Sequence, residues 1–347
     1  MRLEASGLWR GISAAATMLA AMVCCFPRLL ILALLMLLVP PSGWVVPPRA
    51  TASAGPPGAA SPSVDEPVRT GVAGESAALP RLISLNPSLS AIVLRLGAAE
   101  ALVGIDDYSA QLLPELADRP RVGGLFDPGL ESVIALRPDR VLLVAGVDQQ
   151  SHGERLARLG LLVDVYPNER LDQVLENIER LGRLLGRDAE ASARIRAILE
   201  MRRAVADVAR GRARPATLAI VDRSPLFVVG GETFLDEMLA AVGARNLGRQ
   251  LSSGYPRGSI EWLIGVEPEL LLDMTPGADA ASEFWGRWPS LPAVAANRVL
   301  GLDASRISLP GPDLDYALRE LAVAVHGGEI DAAIDAALAD DRGEGKE

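Results

Sequence analysis

Apolar positions along this chain switch repeatedly between short uninterrupted runs and helical spacing. Leu82-Ile83-Ser84-Leu85 is a strand-like run closed by Asn86-Pro87-Ser88; Leu89, Ile92, Val93 and Leu96 then recur at helical spacing up to Gly97. Ala101–Ile105 reads as the next strand, Leu130–Leu136 as a helix and Arg140–Val144 as a strand. Glu154–Leu159 and Leu161–Val165 repeat the pair. Leu171, Val174, Leu175, Ile178, Leu181, Leu184 and Leu185 mark one amphipathic helix stopped by Gly186. A second runs from Asp188, a candidate cap, to Gly211. Its roughly 23 residues reach about 35 Å, enough to pass from one body to another. The alternation then restarts: strands at Thr217–Val221 and Phe227–Val229, a helix at Thr233–Ala241 stopped by Gly243, a helix at Ile260–Val266 and a strand at Leu270–Asp273. The pattern predicts an α/β protein of two similar lobes, each a mostly parallel sheet flanked by helices, joined by one long helix.

The two lobes also repeat in sequence. Gly124 to Leu142 lies over Gly254 to Leu272 at a constant offset of 130 residues, without a gap. Glu131 matches Glu261, Val133 and Ile134 match Leu263 and Ile264, and Pro138-Asp139 matches Pro268-Glu269. A repeat of this length implies that each lobe presents one glutamate in the same local setting. Two such carboxylates on separate lobes can form charge-assisted pairs with a two-fold partner bearing similarly spaced arginines.

The N-terminal region has a different character. Ile12 to Val46 is apolar apart from Phe26-Pro27-Arg28. Residues 1–54 read as a signal sequence or an N-terminal anchor, with Arg28 as positive flank, Leu29–Val39 as apolar core and Ala52-Ser53-Ala54 as cleavage site. Residues 55–79 form a Pro/Ala/Gly-rich linker. The remaining boundaries place an N-terminal lobe at 80–187, the backbone helix at 188–211, a C-terminal lobe at 212–328 and an acidic tail at 329–347. The formal charge is −10, and residues 1–60 carry +3 of their own, so the rest stands at −13. That excludes an electrostatic nucleic-acid surface. Cys24 and Cys25 are the only cysteines, which leaves none for a disulfide in the lobes, a composition compatible with an oxidising compartment.

The ordered set Arg81-Leu-Ile-Ser84-Leu-Asn-Pro87-Ser88, Leu96-Gly97…Gly104, Val122-Gly-Gly-Leu-Phe-Asp-Pro-Gly-Leu-Glu131, Val228-Val-Gly-Gly-Glu-Thr-Phe-Leu235, Ser259-Ile-Glu261, Leu291-Pro and Leu309-Pro-Gly-Pro312 resembles the substrate-binding proteins of ABC importers for vitamin B12, ferric siderophores and haem. The resemblance covers about Arg81 to Gly328. It implies a helical-backbone (class III) periplasmic binding fold, a ligand held between the lobes with modest lobe movement, and no catalytic activity. It further implies a monomer in the periplasm or another extracytoplasmic space, partnered by a membrane permease and its ATPase. Membrane association would come through that partner or through the N-terminal anchor. The permease-docking glutamates of the family carry over onto Glu131 and Glu261. Cleft positions carry over onto Leu125, Phe126, Phe227, Tyr255 and Trp285, with Tyr108 and Arg306 as looser matches.

No cofactor is expected. The histidines are His152, in an expected loop, and His326, at an expected helix end, and no His/Asp/Glu group has metal-ligand spacing. The resemblance then implies an already chelated metal, a corrinoid or a ferric siderophore, held by aromatic and apolar walls. Two rivals stand beside this reading: a tethered chelate or haem receptor without a permease, and a chelatase-like enzyme of the same fold. Gly230-Gly231-Glu232-Thr233 follows a strand and opens a helix, so its amides are a candidate anion cradle.

Overall fold

The first lobe opens on strand β1 (Leu82–Ser84) and helix α1 (Pro87–Arg95), joined by Asn86, whose side chain accepts the Ser88 N–H while Pro87 occupies the first helical turn. These details come from a computed structural model that describes residues 78–125, 127–275, 277 and 280–344. Residues 1–54, read as a signal or anchor, nearly all of residues 55–79, read as a linker, and Phe126 lie outside the described residues. After β1 and α1 come β2 (Leu102–Ile105), α2 (Asp107–Leu112), the short hairpin β3 (Gly123–Gly124) and β4 (Asp127–Pro128), and α3 (Leu130–Ala135). Next are β5 (Arg140–Val144), α4 (Val147–Arg158), β6 (Val163–Tyr166) and α5 (Leu171–Leu185). Strands β2-β1-β5-β6 form one parallel sheet in that order.

Helix α6 (Asp188–Ala209) leaves this lobe. Arg187, not Asp188, sits at its cap position; Asp188 and Glu190 lie in the first turn, where the helix dipole favours them. The second lobe contains β7 (Ala216–Arg223), β8 (Leu226–Val228), α7 (Phe234–Ala241), β9 (Arg245–Asn246), α8 (Ile260–Val266) and β10 (Leu270–Asp273). It continues with α9 (Ala281–Trp285), α10 (Pro292–Ala295), β11 (Val299–Gly301), α11 (Ala304–Ile307), α12 (Leu314–His326) and α13 (Ile330–Glu344). Strands β11-β10-β7 are parallel, and β8 and β9 both pair with β7, antiparallel and parallel respectively.

Strand alternation sorts the core. Leu82, Leu142 and Val144 of the first sheet and Ala219, Leu270 and Leu272 of the second join one cluster with Ile198, Met201 and Val205 of α6. Ile83, Val141 and Leu143 face the other way onto Val133 of α3. Leu218, Ile220 and Leu271 likewise face Leu263 of α8. Each sheet is therefore covered on both sides, with α6 running along a core face shared by the two lobes. Residues 330–344, read as an acidic tail, are helix α13, and Ile330 and Ile334 are fully buried in that shared cluster. The α4 helix begins seven residues before the expected Glu154, at Val147, so His152 lies within a helix and is buried, not in a loop.

Candidate functional site: two matched helices and the loops before them

The 130-residue repeat is also a repeat of backbone. Helix α3 leads to β5 and α8 to β10, and each helix is followed at the matching repeat position by a left-handed residue that is not glycine: Arg137, the second residue after α3, at φ 46° and Glu267, directly after α8, at φ 49°. The Pro-acid pair that follows has a structural purpose. Asp139 accepts the Arg81 N–H at 2.7 Å and its own N–H donates to the Arg81 carbonyl at 2.8 Å. Glu269 does the same to Ala216, at 2.6 and 2.8 Å. Each acid thus brackets the residue at the head of its lobe's first strand, satisfying a backbone donor at the sheet entrance.

Glu131 and Glu261 are exposed in the first turns of α3 and α8, where the helix dipole favours a carboxylate. Ser259 caps α8 by accepting the Trp262 N–H at 3.2 Å. Hydrogen bonds from its own backbone N–H and from Ser259 hold the Glu261 carboxyl below its ordinary value. Because α3 and α8 pack on the sheet faces opposite those shared with α6, the two glutamates share the side of the unit away from the joining helix.

The loops before these helices hold Leu125 and Tyr255, again at matching repeat positions. Leu125 is half-buried in the β3–β4 hairpin. Tyr255 is 45 % exposed, on a loop that pairs with the strand end after β8: Val228 N–H to Pro256 O, Gly230 N–H to Gly254 O and Gly231 N–H to Ser252 O, at 2.8–3.1 Å. A Cβ on Gly230 would run into the Ser252 carbonyl oxygen, so glycine is required there. The Gly230-Gly231 amides are spent on seating the Tyr255 loop, which removes them as an anion cradle. Half-buried Phe227 is bridged to Arg257 of the same loop. Although the side chain as a whole is partly exposed, desolvation of its phenol, with the Glu169 carboxylate nearby, pushes that group up to about 12. Glu169 belongs to the first lobe, and its carbonyl also accepts the Phe234 N–H at the start of α7.

A second group surrounds a cavity of about 660 Å³ lined by Gln111 and Leu112 of α2, by Thr275 after β10, and by Leu302, Asp303, Ser305 and Ser308 around α11. Open-sheet ligand sites lie at the carboxyl ends of strands, and Thr275 and Leu302 follow two of them. Tyr108, 50 % exposed, sits one turn before Gln111 on α2. Asp106 caps that helix by accepting the Ser109 N–H at 2.9 Å, and Ser109 Oγ donates to its other oxygen. Ser90 of α1 reaches Ser109 at 2.8 Å. The Arg306 guanidinium lies 3.6 Å from the centre of the Tyr316 ring, exposed beside the cavity.

Trp285 is not in the cleft. It is fully buried, and its indole N–H donates to Asp273 at 2.6 Å. That buried carboxylate also receives Arg223 Nε at 2.8 Å, Thr275 Oγ1 at 2.7 Å and the Thr275 N–H at 3.0 Å. A buried carboxylate needs this many donors, and the indole is one of them. Trp285 therefore shapes the strand end that carries Thr275. Sequence reasoning passed over Gln111, Thr275, Asp303, Ser305 and Ser308; their only signal was position just after a strand or at a short helix.

Among the described residues no group of three or more His, Cys, Asp or Glu could hold a metal ion, and no helix is long and apolar enough to cross a membrane. His326 ends α12 with Nε2 at 2.7 Å from the Val242 carbonyl.

A family model described as periplasmic binding protein matches residues 82–305. The vitamin B12-binding protein of Vibrio campbellii is 27% identical over 235 residues, spanning 66% of this chain and 83% of that protein. The cobalamin-binding protein of Halobacterium salinarum is 27% identical over 265 residues, spanning 72% and 70%. Among solved structures, the periplasmic vitamin B12 binding protein BtuF of Vibrio cholerae superposes with a TM-score of 0.64 at 21% identity, covering 73% of this chain and 98% of that one. The periplasmic heme-binding protein RhuT from Roseiflexus sp. RS-1 gives 0.62 at 22% identity, covering 74% and 99%.

Proposed function

Because the chain belongs to the periplasmic binding protein family, we propose that it captures a chelated metal ligand, a corrinoid in the first instance, and delivers it to the permease of an ABC importer. The observation that carries this reading is the duplicated α3–β5 and α8–β10 unit, which sets Glu131 and Glu261 on two lobes in one local geometry. Matched exposed carboxylates on two lobes fit a two-fold receptor better than any catalytic arrangement. The names of the curated relatives, vitamin B12-binding and cobalamin-binding proteins, favour a corrinoid over a ferric siderophore.

In this reading Leu125, Phe126, Phe227 and Tyr255 supply apolar wall, while Tyr108, Gln111, Thr275, Ser305, Ser308 and Arg306 supply hydrogen bonds to a ligand rich in amides or oxygens. Phe126 enters on the sequence resemblance alone. The N-terminal segment exports the protein, as cleaved signal or as retained anchor. Ligand-stimulated ATP hydrolysis by the importer, reconstituted with the full-length protein, tests the proposal. Glu131→Ala with Glu261→Ala should keep corrinoid affinity and abolish the stimulation. Normal stimulation by that double variant would refute the docking role.

A further inference from the structure

Large exposed apolar side chains are few among the described residues, and two of them obey the 130-residue repeat. Ile134 is 44 % exposed and Ile264 is 37 % exposed. Each stands three residues after its lobe's exposed glutamate, hence on the same helix face, one turn along. An isolated exposed isoleucine needs no explanation. The same isoleucine at the same repeat position of two lobes, beside the same carboxylate, does.

Packing does not supply the reason. Val133 and Leu263, one residue earlier, are fully buried and already fill the core position of each helix. They fix the helix rotation that turns Ile134 and Ile264 outward. The next residues, Ala135 and Gly265, are small and exposed, and a Cβ on Gly265 would meet open space. Each patch is therefore a carboxylate and an isoleucine standing above a low floor, open to a partner.

Exposed ion pairs steer association and set register more than they hold a complex together. Retention needs apolar area removed from water. We infer that Ile134 and Ile264 are the apolar anchors of the docking surface, each entering a shallow apolar socket beside a basic side chain on one half of a two-fold-symmetric permease. The charge of the glutamates sets the basic partner, and the duplication sets its two-fold symmetry. The inference rests on the docking reading above and adds to it the contact that sets the lifetime of the docked complex.

Full-length protein carrying Ile134→Ser, Ile264→Ser or both would be titrated against the importer's permease–ATPase complex in lipid nanodiscs, with Glu131→Ala/Glu261→Ala as control. Cyanocobalamin affinity and the thermal midpoint would be measured in parallel. The inference predicts at least a tenfold rise in docking Kd for the double isoleucine variant, carried mostly by faster dissociation. It also predicts partial and comparable losses for the two single variants, recovery in Ile134→Leu/Ile264→Leu, and unchanged cyanocobalamin affinity. Wild-type docking strength in the double isoleucine variant, with docking lost in the glutamate control, would overturn this inference and leave the functional proposal standing. Failure of the wild-type protein to dock at all would overturn both.

Discussion

Tyr255 shows at single-residue scale how the fold positions the wall proposed for the ligand. Its loop is held by paired glycine amides, and desolvation with the neighbouring Glu169 carboxylate raises its phenol to about 12. Losing one such aromatic wall costs roughly 1–3 kcal/mol, about ten- to a hundred-fold in affinity. Tyr255→Ala should weaken the quenching of intrinsic fluorescence by cyanocobalamin by that factor. Asp106 gives a pH-dependent prediction. Burial raises its carboxyl above the ordinary value, against the opposing hydrogen bonds from Ser109. Its contribution to stability is then full below the unfolded value of about 3.9 and is lost as pH rises through the folded value. Asp106→Asn keeps a capping oxygen without the charge. Its urea midpoint should therefore gain on the parent as pH goes from 4 to 8; a constant difference would contradict the burial argument. Among individual residues, the matched placement of Glu131 and Glu261 was legible because a repeat exposes it. Trp285 was not, since spacing cannot distinguish a cleft aromatic from an indole that satisfies a buried aspartate.

At the scale of elements, the sequence was clearest where apolar runs are long and bounded. Arg140–Val144, Leu171–Leu185, Ile260–Val266 and Leu270–Asp273 are found at the expected residues. Helix α2 carries only six residues and two buried ones, too few to show a period. Helix α13 hides its stripe in alanine and aspartate, yet its isoleucines complete the face of α6. Ile334→Ala should cost about 2–5 kcal/mol in a urea titration, and removal of residues 330–347 should lower the melting temperature without changing the ligand's identity. A loss under 1 kcal/mol for Ile334→Ala would mean that α13 is dispensable packing. The equivalent placement of Arg137 and Glu267 in left-handed backbone was not readable from residue type, because neither is a glycine; only the register of the repeat could have pointed to it.

For the whole molecule, the shared core along α6 decides how much the lobes can move. A continuous helix of 22 residues buried against both lobes resists bending more than two or three extended crossings would. The first lobe adds its own ties: Arg95 pairs with Asp313 at 2.6 Å, and Arg170 with Glu237 at 3.5 Å. X-ray scattering profiles with and without ligand should therefore nearly superimpose, and a large contraction on binding would indicate a hinged mechanism. The central claim, that the lobes hold a preassembled chelate and not a bare ion, is tested most directly by isothermal titration of the full-length protein with cyanocobalamin and, separately, with ferric, zinc and manganese ions. The account predicts one-to-one, sub-micromolar binding of the corrinoid and no tight binding of the free ions. Tight binding of a free ion with none of the corrinoid would contradict it.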